Sequence, residues 1–144
     1  MSDAAHMARA LELARAMAGK TGDNPAVGCV IVRDGVPLAE AATADAGRPH
    51  AEEQALAHAD ARGATAYITL EPCAQRSTGA PSCTDLLIAA GVARVVIAAS
   101  DPHPLANGAG IARLRAAGVV VETGLLRGEA EALNADFLAK WRQT

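Results

Sequence analysis

Apolar positions switch between two periods along the chain. From Asp3 to about Ala18, Met7, Ala10, Leu11, Ala14 and Met17 fall on one face at helical spacing, which predicts a helix capped by Asp3 and ended by Gly19. Lys20–Pro25 is a loop by composition. Val27–Arg33 then predicts a buried strand, with Asp34-Gly35 as a tight hairpin turn into an antiparallel strand from Pro37 to about Thr43. The proline that opens this second strand puts it near a sheet edge, where a missing N–H donor is tolerated.

Beyond the loop Asp45–Pro49, a helix is expected from Ala51 to about Ala61, stopped at Gly63. Ala66–Leu70 reads as a strand running into Glu71-Pro72-Cys73, and Thr84–Ala90 as a short helix ended by Gly91. Arg94–Ser100 is apolar enough to be a central strand, Ile111–Ala117 a helix with Gly118 beyond it, Val119–Glu122 a closing strand and Glu129–Trp141 a last helix. Alternation of strand and helix from about residue 64 argues for a parallel arrangement with helices on both faces. With the hairpin added, the expected fold is α/β, a three-layer α/β/α sandwich around a mixed sheet of about five strands. Ligands bind such sheets outside the carboxyl ends of strands, and Cys73 lies just past one.

Composition narrows the partners. The 144 residues suit one domain with its own core, and no internal repeat or linker divides them. A net charge of −3, dispersed basic residues and only Tyr67, Phe137 and Trp141 as aromatics argue against nucleic acid as a partner. No apolar run approaches a membrane span, and the first residues lack the pattern of a secretory signal. A cytoplasmic protein acting on a small polar molecule is the expectation, with a homo-oligomer (dimer or tetramer) as its form. Three cysteines do not make a closed disulfide set, and Cys29, inside an apolar strand, reads as a small core residue.

Cys73 and Cys83 lie instead among loop residues, and His50-Ala51-Glu52 follows a proline. One imidazole and two thiolates form a ligand set that holds zinc and leaves a fourth position to water. His50 and Glu52 would point nearly opposite ways inside a regular helix. Both serve one site only if His50 precedes the helix and Glu52 sits in its first turn. Cys83 likewise precedes a helix start, so two helix N-termini would face the metal and favour its anionic ligands. Zinc would bring the pKa of water from about 15.7 down to roughly 7. Glu52 would carry protons from that water to the substrate. A structural zinc clip is the blander reading, but such clips use four protein ligands at closer spacing. His58 and His6 read as solvated. His103, in the loop Asp101–Gly110, is either a turn residue or a substrate contact.

The order His-x-Glu, Pro-Cys, Cys is similar to that of zinc-dependent deaminases of amino-heterocycles. The chain resembles, more narrowly, the deaminase domain of bacterial riboflavin biosynthesis (diaminohydroxyphosphoribosylaminopyrimidine deaminase) in the cytidine-deaminase-like superfamily. The stretches that carry the resemblance are Asn24–Val32, Gly47–Glu52, Thr69–Cys73 and Cys83-Thr84-Asp85, with Gly91–Val96, Asp101-Pro102, Gly108–Gly110 and Leu114–Gly118 after them. The resemblance implies His50, Cys73 and Cys83 as zinc ligands and Glu52 as proton shuttle. It also implies hydrolytic loss of ammonia from a diaminopyrimidinone ribosylamino phosphate. Asn24 would hydrogen-bond the substrate's ring or sugar, or else cap the turn before Pro25. The chain departs from the family pattern in a loop length and at three positions. The loop between the cysteines is one residue longer, Gln75 and a displaced Arg76 stand for its usual histidine and arginine, and Thr43 replaces another histidine. Arg76 is the remaining candidate for the phosphate. No reductase domain is expected in these residues. Another nucleobase, nucleoside or pterin-like substrate is the alternative, and a non-catalytic zinc-stabilised binding protein the reading from another class.

Overall fold

A computed structural model describes residues 2–74, 81–101 and 108–142. Five strands form one sheet in the order β2-β1-β3-β4-β5. They are β1 (Gly28–Arg33), β2 (Val36–Ala42), β3 (Thr65–Leu70), β4 (Arg94–Ala99) and β5 (Val120–Thr123). β1 pairs antiparallel with β2 and with β3, while β3, β4 and β5 run parallel, so the sheet is mixed as expected. β2 is indeed an edge strand and carries its proline there. Asp34 and Gly35 both take positive φ (53° and 78°), the backbone that matches the twist of a two-residue hairpin.

Among the described residues, six α-helices cover the sheet: α1 (Asp3–Met17), α2 (Ala51–Ala57), α3 (Cys83–Ala89), α4 (Ala109–Ala116), α5 (Arg127–Leu133) and α6 (Ala135–Arg142). α1 packs on β1, β2 and β3 and touches α5, while α2, α3 and α4 form a connected row. These are the outer layers of the sandwich. The core is aliphatic, built from β1, β3 and β4 with Met7, Leu11, Leu87, Leu114 and Leu138 from the helices. Gly28 lets α1 lie directly on β1, because a Cβ there would stand 1.8 Å from the Ala10 carbonyl oxygen. Among the described residues, no helix is long and apolar enough to cross a membrane.

Four local expectations are corrected. Ser2, not Asp3, caps α1 and accepts the Ala5 N–H at 3.2 Å, which releases Asp3 to bond Arg94 and Tyr67. His6 is buried rather than solvated: it shares the sheet-facing side of α1 with Met7, and its ring lies 5.1 Å from that of Tyr67. α2 ends at Ala57 instead of about Ala61, with the exposed His58 as its C-cap. The last helix is two helices, because Asn134 breaks it. The Asn134 side chain accepts the Ala26 N–H at 3.0 Å and donates to the Ala26 carbonyl at 2.8 Å. These bonds satisfy the buried backbone just before β1, and a continuous helix offers no equivalent.

Candidate active site

The site forms at the carboxyl end of β3, where two helices begin. His50 is the N-cap of α2 in extended backbone, and Glu52 is the second residue of the helix, as the two-residue spacing requires. The His50 N–H donates to the Glu53 carboxylate at 3.0 Å, the backward half of a capping box, and this pins the ring-bearing residue to the helix. Ser82 caps α3 through a reciprocal pair with Asp85, each bond 3.0 Å. Cys83 is therefore the first helical residue rather than the one before the helix. Backbone N–H groups in a first turn have no partner inside the helix. Here those of Cys83 and Thr84 turn to the other cysteine: Cys83 N–H reaches Cys73 Sγ at 3.3 Å and Thr84 N–H reaches the Cys73 carbonyl at 3.1 Å.

The ligand atoms of His50, Cys73 and Cys83 all lie within 4.8 Å of one another. His50 Nδ1 is 3.4 Å from Cys83 Sγ. A tetrahedral zinc with bonds of about 2.0 Å to nitrogen and 2.3 Å to sulfur separates those atoms by roughly 3.5 Å. The trio is thus close to the spacing zinc needs, and among the described residues it offers three protein ligands. Cys29 is fully buried in β1 and lies outside the trio, and burial pushes its thiol well up.

Glu52 is 4 % exposed. Burial pushes its carboxyl up to about 7, against the opposing pull of its backbone hydrogen bond and of His50. The Cys73 thiol is held down to about 4, first by the hydrogen bond with Cys83 and further by His50 and the Cys83 N–H. A thiol held low and a buried carboxyl held high thus belong to one cluster.

Asn24 donates from its amide to the Gly47 carbonyl at 3.0 Å, while the Thr21 hydroxyl donates to the Asn24 carbonyl at 2.6 Å. Its side chain ties the loop before β1 to the loop before His50, a contact that sequence reasoning did not foresee. Thr43, the replacement for a family histidine, is buried. Its hydroxyl accepts the Val27 N–H at 2.9 Å, and it lies 3.2 Å from the Pro25 carbonyl, to which it donates. Gln75, Arg76 and His103 lie outside the described residues.

Glu71 carried no assigned role in the sequence, yet its buried carboxylate accepts the Gly108 N–H at 2.6 Å and the Asp101 N–H at 3.3 Å. An acidic residue directly after an apolar strand was the available signal, since a carboxylate there must find donors.

Residues 1–99 match the family model for the cytidine and deoxycytidylate deaminase zinc-binding region. The riboflavin biosynthesis protein RibD of Escherichia coli (strain K12) is 51% identical over 99% of this chain and 39% of its own length. The diaminohydroxyphosphoribosylamino-pyrimidine deaminase of Buchnera aphidicola subsp. Acyrthosiphon pisum is 42% identical over 99% of this chain and 97% of its own. Among solved structures, Acinetobacter baumannii RibD superposes with a TM-score of 0.92 at 44% identity, covering 98% of this chain and 40% of the other. The chain thus spans about two fifths of the length of the RibD relatives. It belongs to the zinc-binding cytidine and deoxycytidylate deaminase family, among that family's riboflavin-biosynthesis deaminases.

Proposed function

We propose that this chain deaminates the diaminopyrimidinone ribosylamino phosphate of riboflavin biosynthesis by hydrolysis, leaving a carbonyl and releasing ammonia. His50, Cys73 and Cys83 are then the zinc ligands and Glu52 the proton carrier. The observation that carries this reading is the placement of Glu52, a carboxylate removed from solvent beside a three-ligand cluster. A purely structural site completes its shell with four protein ligands. It gains nothing from burying an ionisable group alongside, which costs free energy.

When bound, zinc supplies the Lewis acidity that makes water nucleophilic near neutral pH. Glu52 accepts the proton that the attacking water gives up, then delivers protons to a ring nitrogen and to the departing amine. Its place in the first turn of α2 keeps the carboxylate buried beside the cluster. Asn24, its amide N–H engaged by Gly47, keeps its side-chain oxygen for a donor on the ring or sugar. Arg76 supplies a planar cation for the phosphate. The described residues pack around one core, and on this reading they act as one deaminase unit on a small molecule, as a dimer or tetramer in the cytoplasm.

The test is ammonia release over a panel that holds the riboflavin precursor, its dephosphorylated form, aminopurines and pterins. The precursor is expected to give the highest kcat/KM, and Arg76→Ala to raise KM for the phosphorylated form alone. A purine or pterin turned over at least tenfold better than the precursor would replace it as the substrate.

A further inference from the structure

Both cysteine-bearing segments lean on the same helix. Gly108, the N-cap of α4, donates its N–H to one oxygen of Glu71 at 2.6 Å, while the other oxygen takes the Asp101 N–H. The start of α4 and the end of β4 are thereby tied to the residue two before Cys73. Gly110 then packs so tightly that a Cβ there would stand 2.7 Å from the Pro72 carbonyl oxygen and 2.7 Å from Thr84 Oγ1. That Thr84 hydroxyl is sealed from solvent and makes no hydrogen bond among the described residues, so the contact is steric.

One turn further along, Arg113 completes the arrangement. Its Nη1 donates to the Ala74 carbonyl at 2.7 Å, and its Nη2 donates to Asp85 Oδ1. The other oxygen of Asp85 accepts the Ser82 N–H. Ala74 follows Cys73 and Ser82 precedes Cys83. One guanidinium therefore joins the two segments that carry the thiols, by a route that touches neither sulfur.

We propose that α4 braces the metal loop and that Arg113 is a positioning residue, setting Cys73 and Cys83 at the separation the metal needs. The inference rests on the reading of His50, Cys73 and Cys83 as zinc ligands. β3 ends at Leu70, so Cys73 has no strand ladder to hold it and depends on contacts from outside. An exposed ion pair alone is worth little. The Arg113 pair differs because its second donor goes to a backbone carbonyl next to a ligand. A planar fork serves both acceptors at once, which an ammonium on a flexible stem does not. Loss of such outer partners costs about 10–100-fold in metal affinity or activity.

The experiment compares zinc-loaded wild type, Arg113→Ala and Arg113→Lys. Arg9→Ala is the control, since Arg9 forms an exposed pair with Glu40. Zinc release to excess chromophoric chelator is followed, together with the absorption spectrum of the cobalt(II)-substituted protein. Arg113→Ala is expected to release zinc about 10-fold faster or more and to shift the cobalt bands, with Arg113→Lys in between and Arg9→Ala at the wild-type rate. The metal-free Arg113→Ala protein should melt within about 3 °C of metal-free wild type, the scale of one lost surface contact. Unchanged release and spectrum in Arg113→Ala would overturn the brace. Equal acceleration in Arg9→Ala, or a much larger fall in metal-free melting temperature, would do the same by making the effect one of general loosening. Wild type that holds no zinc would overturn the ligand assignment and the brace with it. That failure shows in the unaltered protein and so is told apart.

Discussion

Glu52 is the residue at which catalysis and mere metal binding separate. Gln has almost the same shape and keeps the first turn of α2 intact, but it cannot exchange protons. Glu52→Gln is expected to keep stoichiometric zinc and the wild-type melting temperature while losing about 10²–10⁴ in turnover, the range for removal of a proton-transfer group. Metal analysis and single-substrate kinetics on the same preparation check this. Turnover equal to wild type would leave the carboxylate with no catalytic task. The placement of His50 before α2 and of Glu52 in its first turn was legible from two residues of spacing, because helix geometry leaves one way for both to face one point. That of Thr43 was not. Its neighbours Pro25 and Val27 are distant in sequence, so nothing local tells that its hydroxyl serves their backbone.

At the scale of elements, side chains that bond distant backbone hold the segment around the start of β1. Asn24 reaches Gly47, Asn134 grips Ala26 in both directions, Thr43 accepts Val27 N–H and Thr69 accepts Gly28 N–H. Ala26 is buried, so removing its partner strands a donor and an acceptor at a cost of about 1–3 kcal/mol. Asn134→Ala should therefore lower the melting temperature by roughly 3–9 °C, and Asn134→Asp, which still accepts but no longer donates, by less. A thermal melt of the three proteins decides it, and an Asn134→Ala curve coincident with wild type would deny the clamp any energetic role. Apolar periodicity ran through this position unbroken. The break between α5 and α6 exists because Asn134 satisfies another element's backbone, and periodicity carries no information about that.

Across the whole molecule, the end of the sheet opposite the active site is closed by charge. Asp3 of α1 accepts from Arg94 of β4 at 2.9 and 2.6 Å and from the Tyr67 hydroxyl of β3 at 2.6 Å, while Arg94 also reaches Glu122 of β5 at 2.8 Å. The Arg94 guanidinium, then the Tyr67 hydroxyl, hold the Asp3 carboxyl well below the usual carboxylate range. A carboxyl depressed on folding contributes its full stability above its unfolded pKa, about 3.9, and loses it as the pH falls from there toward the folded value. Asp3→Asn is thus expected to cost about 1 kcal/mol at neutral pH, a modest figure because Asp3 is 42% exposed and water screens the pair. The deficit should shrink below about pH 4, where the unfolded chain takes up a proton that the folded Asp3 still resists. Urea melts at pH 7 and pH 3 measure both, and an equal deficit at the two values would contradict the linkage.

The sequence by itself determined what depends on neighbours along the chain. Period-two and period-3.6 patterns marked all five strands and the order of elements, Asp34-Gly35 set the hairpin, and His-x-Glu with two loop cysteines announced the trio that the fold gathers. Each of these follows from local geometry or from the donor atoms that zinc accepts. Tertiary structure decided what depends on partners far away. It buried His6 against Tyr67, split the last helix at Asn134, gave Glu71 two distant N–H donors and laid Arg113 across both cysteine segments. For Asn134 and Glu71 the reason is that buried polar groups must be satisfied, and in every case only the folded chain brings the partner within reach.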